Sequence, residues 1–293
     1  MTFNDDAKYS GRGVRKSGRR TGLAVGGGGL GLVAIVLLSQ LLGVDLTGLV
    51  GGGTTGGTPD EGTALTNCDV GADANANDEC RIGFAYDSLD AYWADEAPAL
   101  GIQYSPPTIL LFDEAVDTGC GSATSAVGPF YCPADQQIYL DTSFYDQLRS
   151  QFDATAGPLS QLYIVGHEWG HHLQNEAGTF ANADTSQTGP TSDGVRLEVQ
   201  ADCFAGAWLG SAAETTDADG TRLLEPITDE QIADALNAAS AIGDDRIQEK
   251  TQGQVSPETW THGSSEQRQK WFLAGYTNGP TACDTFAAAD AEL

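Results

Sequence analysis

The sequence predicts an α+β fold, mainly helical with a small sheet, preceded by one transmembrane helix. Two observations carry this expectation. One compact apolar run and one alternating segment precede a series of segments with helical periodicity, the order expected of a small strand region packed on a helical body. Upstream of them, an uncharged stretch long enough to span a bilayer follows a cluster of basic residues.

Residues 1–21 read as a basic tail, in which Lys8, Arg12, Arg15, Lys16, Arg19 and Arg20 outnumber Asp5 and Asp6. From Gly22 to Val44 there is no charge, and a spanning helix needs about 20 such residues. Basic residues on one flank only place the tail in the cytoplasm and the rest outside, a single-pass protein of the cell membrane. A cleaved signal peptide is the alternative, but the apolar region is long for one and no small-x-small cleavage site follows before the glycine tract. Residues 45–75, rich in Gly and Thr, cannot bury a core and read as a flexible linker. Asp73 to Asn77 imitates the start of a calcium loop. Asp78 and Phe84 stand where that loop needs Gly and Glu, so the stretch reads as a polar loop.

Residues 76–293 are the expected folded domain, long enough for one good-sized core. Ser88 can cap a short helix to about Ala97. Thr108 to Phe112 and Gln137 to Leu140 read as strands. Thr142 or Ser143 can start a helix to about Phe152. Two long helical patterns follow, Leu159 to Glu176 and Val195 to Leu209, each ending at a glycine or just before one. Thr228 and Ser264 cap two more, to about Ile242 and Tyr276.

The formal net charge is −27, and with six basic groups in the tail the remaining chain is more acidic still. Such a body repels nucleic acid, which is therefore not an expected partner. The six cysteines contain no CxxC pair and fit disulfides better than a zinc knuckle. Local spacing suggests Cys68–Cys80 and Cys120–Cys132, leaving Cys203–Cys283, and the domain then folds in an oxidising compartment.

Within the first long helix stands His167-Glu168-Trp169-Gly170-His171-His172. His167 and His171 are four apart and share a helix face, where two imidazoles can bind one zinc ion. Glu168 adjoins the first of them and can reach a water held there without being a ligand. Three of the chain's four histidines fall within these six residues, in a helix otherwise apolar, which argues against a chance match on a solvated surface. A third ligand is wanted, and Glu198 in the next long helix is the candidate. Asp202, four residues on and on the same face, can accept the other ring N–H of a ligand histidine. His172 points about 140° away from His167 and reads as structural. His262, just before the helix capped by Ser264, is a candidate catalytic donor to an oxyanion, against the plainer reading of a loop histidine. Cys203 lies about 100° around the helix from Asp202 and reads as a disulfide partner.

With these residues in view, the chain resembles the putative neutral zinc metallopeptidase family of bacterial membrane proteins. The resemblance covers roughly residues 80–286. It rests on Thr118 to Ala123, Gly128 to Pro133, the His167 to His172 motif, Arg196-Leu197-Glu198 through Gly206, Ala241 to Asp245, His262 to Arg268 and Cys283 to Phe286. It implies a zincin-like, gluzincin-like domain with Zn2+ held by His167, His171 and Glu198, Glu168 as catalytic base, and peptide or protein substrates. A membrane-anchored endopeptidase is the expected function. A non-catalytic, zinc-stabilised extracytoplasmic scaffold is the competing one.

Overall fold

The computed structural model describes residues 2–18, 62–152 and 154–293. Its principal sheet has five strands in the order β2-β1-β3-β7-β6, built from β1 (Val14–Lys16), β2 (Thr63–Ala64), β3 (Thr108–Leu111), β6 (Phe130–Cys132) and β7 (Gln137–Leu140). β1, β3 and β7 run parallel, with Val14 opposite Ile109 and Ile109 opposite Ile138. The two edge strands run antiparallel to their neighbours. A separate hairpin, β4 (Ala115–Thr118) and β5 (Gly121–Thr124), stands beside it.

Alternation along the strands explains why β3 reads as an unbroken apolar run and why β7 carries apolar residues on both faces. Ile109, Leu111, Ile138 and Leu140 face the helices in the main core. Leu110 and Tyr139 point to the other face, where they cluster with Phe112, Val116 and Cys132. Both faces are covered, so neither needs polar residues.

The helices are α1 (Gly71–Ala76), α2 (Asp78–Glu96), α3 (Phe144–Phe152), α4 (Pro158–Glu176), α5 (Thr179–Asn182), α6 (Asp193–Ser211), α7 (Asp229–Ala241), α8 (Asp244–Gln252) and α9 (Ser265–Asn278). α4 and α6 form the centre and are buried almost all round. α4 has no N-cap side chain of its own. Asp234 of α7 takes that role, accepting from Gly157 N at 3.1 Å and Ser160 N at 3.0 Å, a negative group at a positive helix end. Glycine permits the close approach of the central helices. A Cβ on Gly170 would lie 2.8 Å from Ala201 Cα, and one on Gly275 would lie 1.9 Å from Cys203 O. α4 and α9 thus pack backbone to backbone on α6. All three expected disulfides are present: Cys68–Cys80, Cys120–Cys132 and Cys203–Cys283.

Several local expectations change. The helix expected from Ser88 begins ten residues earlier at Asp78, capped by Asn77, whose side chain accepts from Cys80 N at 3.1 Å. Ser88 is interior, and its hydroxyl accepts from Trp208 Nε1 at 3.0 Å. The supposed polar loop at Asp73 to Asn77 is mostly α1, whose Asn75 side chain accepts from the backbone N–H groups of Thr2 and Phe3. α8 was not foreseen.

The larger correction concerns the N-terminus. The expected spanning helix, residues 22–44, lies outside the described residues, as does most of the 45–75 linker. Among the described residues no helix is long and apolar enough to cross a membrane, and the expectation of a transmembrane helix preceding the domain is withdrawn. What flanks that segment gives the physical reason. Residues 2–18, expected as a cytoplasmic tail, are part of the domain itself: β1 pairs with β3, and Phe3 and Val14 are each 1% exposed. A strand hydrogen-bonded within the sheet cannot lie across a bilayer from the rest of it. The tail's positive charge answers the acidic body instead. Lys16 pairs with Glu79 at 2.6 Å and Lys8 with Asp219 at 2.7 Å. The domain therefore begins near residue 2, not at 76, and residues 62–75 belong to it.

Phe3→Ala should accordingly cost about 3–5 kcal/mol, the usual loss for a fully buried phenylalanine, seen as a lower urea midpoint of the whole domain. An unchanged midpoint would return residues 2–18 to the status of a detached tail.

Candidate metal centre

The α4–α6 pair brings the expected ligand candidates together. His167 and His171 stand one turn apart on α4, with ring centroids 4.7 Å apart, and Glu198 of α6 faces them. Glu198 Oε2 is 3.3 Å from His167 Nε2, and Oε1 is 3.6 Å from His171 Nε2. One donor atom from each of the three lies within 4.8 Å of the others, the one such group of metal-ligating side chains among the described residues. Two donors about 2.0–2.1 Å from a tetrahedral zinc ion sit roughly 3.3 Å apart, so this spacing fits. The donor chemistry, two imidazoles and one carboxylate, also suits zinc.

Each histidine is oriented from behind. His167 Nδ1 is 2.8 Å from Asp202 Oδ1, and His171 Nδ1 is 2.8 Å from Gln174 Oε1. Neither oxygen can donate in those contacts, so both rings place their N–H on Nδ1 and leave Nε2 to face Glu198. Gln174 is fixed in turn by donating to Leu197 O at 2.7 Å, and Gln200 donates to Cys283 O at 2.8 Å.

Asp202 is wholly buried and has three partners besides its own helix. It accepts from His167, from the Tyr163 hydroxyl and from Arg268, whose Nε lies 2.8 Å from Oδ2. Burial raises the Asp202 pKa, but Arg268 and His167 outweigh it and hold the group below the ordinary carboxylate range. Glu198 is likewise raised by burial and lowered further by His171, His262 and His167. Burial disfavours a charged His167, yet the Asp202 and Glu198 carboxylates push it up to about 10. The carboxylates that favour positive charge on His167 would attract a divalent cation in the same way.

Glu168 is buried beside the donor set and 7% exposed. Burial raises its pKa, while the nearby His167 and His171 oppose that rise. His172 turns the other way, toward the sheet, where Nε2 donates to Ser105 O at 2.6 Å and Nδ1 accepts from the Tyr131 hydroxyl at 3.1 Å. His262 is near enough to Glu198 to influence its carboxylate. Its Nδ1 is 3.1 Å from Asp244 Oδ1. Asp244 Oδ2 accepts from the backbone N–H groups of Thr261, His262 and Gly263 at 2.8, 2.7 and 3.1 Å, which fixes the loop.

Sequence reasoning missed Tyr163, Gln174, Asp244 and Arg268. Tyr163 and Gln174 had a signal, standing four before His167 and three after His171 on the same face. Asp244 and Arg268 lie in two of the segments that carry the resemblance, Ala241 to Asp245 and His262 to Arg268, but no local spacing ties either side chain to the histidines, which each reaches only through the packing of α8 and α9.

Known proteins are similar to this chain in sequence. An uncharacterized protein of Mycobacterium tuberculosis is 48% identical over 231 residues, which cover 78% of each chain. The uncharacterized protein YpfJ of Escherichia coli K12 is 36% identical over 288 residues, 96% of this chain and 94% of its own. No solved structure matches the chain. The model of the family described as putative neutral zinc metallopeptidase matches residues 3–286, both the β1 segment and the metal-ligand candidates included, and the chain belongs to that family.

Proposed function

We propose that this protein is a zinc-dependent endopeptidase acting on peptide or protein substrates, with the ion held by His167, His171 and Glu198. The observation that carries the reading is Glu168, a carboxylate buried beside the donor set but outside it. A structural zinc site closes all four positions with protein ligands and has no need of such a base, whereas three protein ligands leave one position for chemistry. When bound, zinc supplies Lewis acidity to a carbonyl oxygen and lowers the pKa of a water.

The chain's residues do the rest. Glu168 accepts the proton of the attacking water and returns it to the leaving amine as the C–N bond breaks; burial suits it to the task by raising its proton affinity. His262 donates from Nε2 to the oxygen on which charge develops, with Asp244 at Nδ1 orienting the ring. Asp202 and Gln174 keep the two ligand imidazoles in the required tautomer. We further propose that the protein works in an oxidising compartment outside the cytoplasm, a reading the three disulfides support.

Two substitutions test the reading separately. Elemental analysis should find one zinc per chain in the wild type and in His172→Ala, and little in His171→Ala; full occupancy in His171→Ala would remove it from the ligand set. Glu168→Gln should keep fold and zinc but cleave a peptide library roughly 10²–10⁴-fold more slowly, the usual loss for a general base. A scaffold predicts no difference. Equal cleavage by the Gln variant, with wild-type cleavage stopped by chelator, would show that Glu168 is not the base.

A further inference from the structure

Arg268 lies on α9, contributes no ligand to the donor set, and is only 2% exposed. Its guanidinium runs along one edge of Asp202, Nε donating to Oδ2 at 2.8 Å and Nη2 to Oδ1 at 3.0 Å. The same Nη2 donates to the Tyr163 hydroxyl at 3.3 Å and lies 3.4 Å from His167 Nδ1 and 3.9 Å from Glu198 Oε2. Nη1 donates to Ile242 O at 3.3 Å, which ties the group to the end of α7. One cation thus touches the carboxylate that holds His167 and faces the carboxylate offered to the metal.

We propose that Arg268 is a positioning residue of the metal centre: it clamps Asp202 so that its Oδ1 stays aimed at His167 Nδ1. The inference rests on the zinc reading above. A planar guanidinium that meets both oxygens of a carboxylate fixes the plane of that carboxylate, which a single ammonium cannot do. So clamped, Asp202 has a defined lone-pair direction left for the imidazole, and His167 Nε2 is held toward Glu198. A cation this close could also repel a metal ion. Its charge is matched at 2.8 and 3.0 Å by Asp202, so the net field of the pair at the donor set is small and orientation is the larger effect.

The full chain, stripped of metal, tests this by competition for zinc against a chromophoric chelator and by the visible absorption of the cobalt-loaded form. Arg268→Gln should bind zinc 10–100-fold more weakly, the range typical of lost partners behind metal ligands, and its cobalt bands should move. Arg268→Lys should recover only part of the affinity. Trp271→Ala serves as a packing control, because Trp271 is on the same helix and donates to Leu293 O at 3.1 Å, away from Asp202. It should lower the urea midpoint and leave zinc affinity unchanged.

Arg268→Gln binding zinc as tightly as the wild type, or more tightly, overturns the proposal, as does a Trp271→Ala that weakens binding equally. If the Gln variant does not fold, the Lys variant decides, and wild-type affinity with unmoved cobalt bands rejects the positioning role. A wild-type chain that binds no zinc fails the reading of the site itself, and this inference with it.

Discussion

Asp202 is where the three central helices meet. Its carboxylate, fully buried on α6, accepts from Tyr163 and His167 of α4 and from Arg268 of α9. A carboxylate taken out of water is tolerated only when its lone pairs are filled, and here they are. Breaking a buried pair of this kind by removing one partner typically costs about 3–5 kcal/mol. The same group that locks α4 and α9 onto α6 therefore also sets the tautomer of a metal-ligand candidate. Stability and site geometry are coupled through one side chain.

That arrangement requires the helix backbones to come close, and small residues permit it. Gly170 stands inside the histidine motif, facing Ala201, the neighbour of Asp202. A side chain there would push α4 away from α6 and spread the distance between the His167–His171 face and Glu198. Gly275 does the same for α9 against Cys203, the residue that the Cys203–Cys283 bridge ties to the C-terminal segment. From that segment the Cys283 carbonyl accepts from Gln200. Gln200 Oε1 accepts in turn from Gln174, which orients His171. Both candidate ligand histidines are thus supported from behind, one through a buried ion pair and the other through neutral amides.

Charge accounts for the way the N-terminus is used. An acidic domain gains by recruiting its few basic residues, and Lys8 and Lys16 fold back onto Asp219 and Glu79. These pairs are exposed or partly so and contribute little each. Burial of Phe3, Ala7 and Val14 contributes more. The family match from residue 3 agrees with a fold in which this segment is integral.

What the sequence by itself determined lies within single helices and short loops. The four-residue spacings of His167 with His171 and of Glu198 with Asp202 placed each pair on one face, because 3.6 residues make a turn. Two disulfides followed from close spacing, and the third from what remained. Boundaries held where a cap was local, as at Ser264. They failed at Ser88, whose hydroxyl is claimed by Trp208 from 120 residues away. Tertiary structure decided the contacts between distant segments: Arg268 on Asp202, Asp244 behind His262, and β1 beside β3 across 95 residues of chain. Basic residues before an apolar stretch carry the same local signal whether they sit at a membrane or, as Lys8 and Lys16 do, pair with an acidic surface. Only the strand register, a long-range hydrogen-bonding fact with no short-range pattern, tells the two apart.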